Sequence, residues 1–122
     1  MRATGKGLAA LAACAALSVC GCHSNRIDAT VEDRTGHAIS LLEVDYPSAS
    51  FGSDALAADA KFPYRFKVRD SGPVKVQYTE APGNLVRQAT GPTLHEGQQG
   101  LLEIVLLPGG KVEFNPQLTQ GH

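Results

Sequence analysis

The sequence predicts an all-β protein: a small antiparallel two-sheet sandwich of about seven strands, preceded by an N-terminal signal helix. Three observations predict it. Apolar and polar residues alternate in short runs, the period of a strand with one buried face. Pro and Gly total 20 of the 122 residues and fall between those runs, which favours turns over long helices. One run, Leu101–Leu107, is almost wholly apolar, as expected of a central strand covered on both sides.

The elements follow in order. Ile27-Asp28-Ala29-Thr30-Val31-Glu32 alternates and reads as a strand, and Asp33-Arg34-Thr35-Gly36 as a turn. Ala38–Tyr46 is the second strand, with Leu42, Val44 and Tyr46 on one face and Glu43 and Asp45 on the other. Pro47–Ser53 reads as a break with a short strand near Ser50-Phe51. Asp54–Ala60 reads as one helical turn or a loop whose Leu56 plugs the core. Phe62, Tyr64, Phe66 and Val68 alternate with Pro63, Arg65, Lys67 and Arg69, a half-buried strand with a charged outer face. Pro63 suits an edge strand.

Asp70-Ser71-Gly72-Pro73 then turns the chain into Val74, Val76 and Tyr78, so these two strands read as a hairpin. Leu85–Ala89 is a weaker strand, and Gly91-Pro92 and Glu96-Gly97 bracket a loop. Leu101–Leu107, a Pro108-Gly109-Gly110 turn and Lys111–Phe114 close a last hairpin, leaving 116–122 as a flexible tail. The outline is immunoglobulin-like or transthyretin-like, without the Cys and Trp hallmarks of antibody domains. A small barrel is the second architecture.

The first residues carry an address. Arg2 and Lys6 make a positive start, and Gly7–Val19 runs 13 residues without a charge. Cys20-Gly21-Cys22 and the polar His23-Ser24-Asn25-Arg26 follow. That order of positive, apolar and small residues is a secretory signal. The apolar run is shorter than the roughly 20 residues a membrane-crossing helix needs. It also lacks the polar face of a helix packed on a small domain.

The segment Val19-Cys20-Gly21-Cys22 resembles the lipobox of bacterial prolipoproteins: an apolar residue, a small one, Gly or Ala, then Cys. Cys20 stands where Ala or Ser is usual. The resemblance implies that the Cys22 thiol receives a diacylglyceryl group, that cleavage falls just before it, and that the new amine is acylated. It implies a cell-envelope protein held to the membrane through a lipid on Cys22. The residue after the Cys sorts such proteins. His23 is not Asp, which points to the periplasmic face of the outer membrane rather than the inner membrane. Ordinary secretion with cleavage near Gly21 is the alternative. The expected organisation is a signal peptide at 1–21, a tether at 22–26, the sandwich at 27–115 and the tail at 116–122.

Composition limits function. Removing Arg2 and Lys6 with the signal leaves 9 basic against 12 acidic residues, which argues against nucleic acid. All three cysteines lie in the first 22 residues, so the sandwich folds without an internal disulfide or a Cys-based zinc site. No cofactor is expected. His23, His37, His95 and His122 have no close ligand spacing, so no metal site is assigned. Ser48, Ser50, Ser53 and Ser71 sit in turn-like contexts with no nucleophile motif, and the expectation is not an enzyme. The Glu43/Asp45 pair reads as a solvated strand face.

The uneven feature is a basic stripe of Lys61, Arg65, Lys67 and Arg69, with Lys75 beside it across the expected hairpin. It could meet an anionic partner, such as lipid headgroups, an envelope polymer or an acidic face of an envelope protein. The plainer reading is a charged face that discourages edge pairing, with Glu43 and Asp45 as its partners. The expected function is a non-enzymatic interaction or structural module of the cell envelope. The alternative is a small-ligand or metal-binding periplasmic lipoprotein using Ser48–Asp54 with His37 or His95.

Overall fold

The computed structural model describes residues 25–81 and 83–121. The signal segment, Cys22, His23 and His122 lie outside the described residues. Among the described residues eight strands are formed: β1 (Arg26–Asp33), β2 (Ile39–Tyr46), β3 (Ala49–Leu56), β4 (Lys61–Lys67), β5 (Gly72–Glu80), β6 (Leu85–Leu94), β7 (Gln98–Leu106) and β8 (Val112–Gln120). They make two four-stranded sheets, ordered β4-β1-β7-β8 and β3-β2-β5-β6. The all-β two-sheet sandwich is therefore the fold.

Alternation builds it. Ile27, Ala29 and Val31 of β1, Leu102, Ile104 and Leu106 of β7, and Phe66 of β4 are buried from one sheet. Val44 of β2, Val74, Val76 and Tyr78 of β5, and Leu94 of β6 are buried from the other. Period-2 patterning puts these side chains on one face, and the two faces close on each other.

The sheet assignment departs from the expected hairpin. β4 does not pair with β5. It pairs antiparallel with β1, from Arg26↔Lys67 to Glu32↔Lys61. β5 instead lies between β2 and β6 in the other sheet. The link after β4 crosses the sandwich, a gap of about 10 Å, and Val68 is buried along it. Nor is the sandwich wholly antiparallel, because β1 runs parallel to β7. β7 is central, but its outer face is open at Leu101, which is 53% exposed, and closed only near its end at Val105, which is buried.

Three segments read as irregular are strands. The expected break and the first three residues of Asp54–Ala60 are β3, joined to β2 by the two-residue turn Pro47-Ser48, while 57–60 form the loop that is the other reading of that segment. Seven residues are too few to sustain a helix alone, whereas β3 buries Phe51 and Leu56, the latter plugging the core as its apolar side chain suggested. β6 continues through Gly91-Pro92, where the β5–β6 register shifts and absorbs an extra residue. β6 is an edge strand, which tolerates the missing N–H of Pro92, and Gly91 leaves room for the Phe114 ring. The expected tail is the second half of β8, paired with β7 up to Gln98↔Gln120. Leu118 packs there against the core, so the sandwich spans 26–120 rather than 27–115.

β2 carries a bulge. Its register with β5 shifts between Ser40 and Glu43. Ile39, Leu42 and Val44 are all buried, a spacing a regular strand cannot give. Leu41 absorbs the extra residue with φ 51° and stands 62% exposed.

Candidate functional site

Strand directions define two ends of the sandwich. β1 starts, β2 ends, β3 starts, β4 ends and β7 starts at one end, which is where the chain enters from Asn25. At that end, on the seam between edge strands β3 and β4, lies a groove of about 470 Å³. Arg26, Arg65, Lys67 and Arg69 supply its charge, and Tyr46, Tyr64 and Phe66 its aromatic surface.

The aromatic surface is stacked from both sheets. Tyr46 lies on Phe66 with centroids 4.0 Å apart, and Phe51 lies on Tyr64 at 4.4 Å. Phe51 also reaches Phe62 at 6.1 Å, so rings fill the seam where the two edges face each other. Burial pushes the Tyr46 hydroxyl above its ordinary value, and the nearby Tyr64 adds to that while Arg69 opposes it. Tyr46 is therefore a neutral hydroxyl at physiological pH.

The cations differ in their partners. Arg65 Nε donates to Asp28 Oδ1 at 2.6 Å across the β1–β4 pair. Among the described residues Arg26, Lys67 and Arg69 form no ion pair. Arg26 stands directly opposite Lys67 in the ladder, a like-charge pair that disfavours folding unless an anion lies near. The Arg69 backbone N–H points at Ser48 Oγ, 3.4 Å away, which ties the exit of β4 to the β2–β3 turn.

The structure thus brings together three residues of the expected stripe, Arg65, Lys67 and Arg69. Lys61 sits at the far end of β4, opposite Glu32. Lys75 lies on the other sheet, opposite Asp45 and Thr90, because the hairpin that would have placed it beside β4 does not form. Glu43 and Asp45 share that other sheet and do not face the stripe. Asp45 favours the protonated Glu43 carboxyl, which can donate to it, and repels the charged form, so the Glu43 pKa is raised. Sequence reasoning missed Arg26, Tyr46 and Tyr64 as groove residues. Arg26 directly precedes the first alternating run, which is the signal that could have drawn it into β1.

The histidines do not converge. His37 follows β1 and His95 follows β6, at opposite ends of the sandwich. β6 stands three strands from β3, about 14 Å at the usual spacing, so His95 is not brought to Ser48–Asp54. Among the described residues no three His, Cys, Asp or Glu side chains gather as a metal site.

A second polar cluster is internal, at the other end. Asp33, fully buried, accepts hydrogen bonds at Oδ1 from the Thr35 backbone N–H at 3.0 Å and from its hydroxyl at 2.7 Å. This closes the β1–β2 turn. Glu80, also buried, pairs with Arg87 at 2.8 Å. The buried Tyr78 hydroxyl makes no hydrogen bond among the described residues, and burial, with Glu80 and Asp33 adding to it against Arg87, raises its pKa.

No protein-family model and no curated protein matches this chain.

Proposed function

We propose that this protein is a lipid-anchored, non-enzymatic module of the bacterial cell envelope whose groove at the anchor end meets an anionic partner. The observation that carries the reading is position: the basic groove lies at the end of the sandwich where the chain arrives from Cys22, only four residues before Arg26. The lipobox-like Val19-Cys20-Gly21-Cys22 supplies the anchor, and two or more acyl chains hold a protein stably where one does not. His23 after the Cys favours the outer membrane. The absence of cysteine downstream leaves Cys22 no internal disulfide partner after processing, which fits lipid attachment as its use.

Metabolic labelling with an alkyne palmitate tests the anchor. The wild-type chain takes up label and fractionates with membranes, and Cys22→Ala loses the label. Equal labelling of the two chains, or none in either, contradicts the reading.

A further inference from the structure

We infer that the occupant of the groove is the phosphate layer of the membrane that carries the anchor, so that the sandwich lies with Arg26, Lys67 and Arg69 against anionic lipid headgroups. This rests on the anchored reading above and adds the orientation and partner of the domain.

The reach of the chain argues for it. From Cys22 to Arg26 an extended chain spans at most about 14 Å. Arg26 is both the first residue of β1 and a wall of the groove. A lipid on Cys22 therefore holds the groove within a short distance of the headgroups whatever the tether's conformation. Opposite charge complements the site: Arg65 is already occupied by Asp28, but Arg26, Lys67 and Arg69 carry charge without an acidic side chain paired to them among the described residues. Arg26 and Lys67 stand opposite each other, and a phosphate oxygen cluster between them turns that repulsion into attraction.

The aromatic surface fits the same plane. Tyr64 is 40% exposed, and Tyr46 presents a neutral hydroxyl beside Arg69. Tyrosine, with an apolar ring and a polar tip, settles at the boundary between headgroups and hydrocarbon. Each basic residue at an anionic membrane surface shifts the apposed-to-free ratio about fivefold, so the three unpaired cations together supply about a hundredfold.

The chain has no Trp and three Tyr, so tyrosine emission reports the groove. Tyr46 and Tyr64 line it and Tyr78 is in the core. The processed lipoprotein, purified from membranes, is reconstituted into vesicles carrying a nitroxide on the headgroup, with phosphatidylglycerol or with phosphatidylcholine alone. Strong quenching in the anionic vesicles is expected. It should fall at high salt and fall most in Arg26→Glu/Lys67→Glu/Arg69→Glu, a surface variant expected to melt at the wild-type temperature, which a thermal scan checks. Quenching equal in neutral vesicles, or unchanged in the triple variant, overturns the inference. So does relief of quenching by soluble polygalacturonate at a charge concentration at which added phosphatidylglycerol vesicles give none, which would assign the groove to an acidic polymer. Protein that floats with vesicles but is not quenched refutes only the docking, whereas protein that does not float at all refutes the lipid anchor.

Discussion

Gly100 combines a left-handed φ with a close backbone approach, so one added methyl group should cost much there. It adopts φ 131° in β7, a region that L residues rarely enter. It is opposite Ile27 of β1 on one side and Leu118 of β8 on the other. A Cβ there runs into the backbone carbonyl of Gln117, so no side-chain rotation relieves it. Gly100→Ala then has two costs. Backbone strain costs about 1–2 kcal/mol, and opening one or two ladder bonds to β8 costs about 1 kcal/mol each. The sum is about 3 kcal/mol, a large share of the stability of a domain this size. It corresponds to a fall in Tm of roughly 12–24 °C. Thermal unfolding by circular dichroism measures the fall, and amide hydrogen exchange should show 116–120 losing protection before the rest. A Tm within about 2 °C of wild type, with β8 still protected, refutes the account of β8 as a strand held by the close approach of Gly100.

Three further outcomes are expected. Leu41→Asn at the β2 bulge relieves a left-handed backbone at little packing loss and should raise stability by about 0.5–1 kcal/mol in urea unfolding; a loss above 1 kcal/mol contradicts the bulge. Tyr78→Phe removes a buried hydroxyl that has no partner and should change stability by less than about 1 kcal/mol, against the larger loss expected if that hydroxyl were bonded. Glu43 has a raised carboxyl pKa because of Asp45, so its ionisation disfavours the folded state: the penalty is absent below about pH 4 and appears as pH rises through the raised value. Glu43→Gln should therefore raise Tm at pH 7 and leave it unchanged at pH 3.5, and a gain of equal size at both pH values refutes the linkage.

The fold class was legible because its cause is local. The alternation of Phe62, Tyr64 and Phe66 with Pro63, Arg65 and Lys67, and of Val74, Val76 and Tyr78 with Lys75 and Gln77, needs no tertiary information to read as two strands. Their sheets were not legible. A short turn-like link between two strands looks the same whether it closes a hairpin or crosses between layers, and the choice rests on β1 taking as its partner β4, a strand far along the chain, from Arg26↔Lys67 to Glu32↔Lys61. The same non-local pairing explains the misplaced Lys75 and the missed Arg26. The strand at 115–120 was hidden because Asn115-Pro116-Gln117 lacks apolar alternation; only the backbone of β7 makes it a strand. The groove inherited both effects, its Arg65-Lys67-Arg69 side visible in one run and its Tyr46 and Arg26 walls assembled by the fold.

We propose, above all, that a lipid on Cys22 holds this sandwich at the membrane by its basic end. Intact mass spectrometry of the protein extracted from envelopes tests it most directly. The expected result is a chain that begins at Cys22, with residues 1–21 gone and the added mass of a diacylglyceryl group and an acyl chain on that one residue. A chain that begins elsewhere, or one that begins at Cys22 with an unmodified thiol, contradicts it.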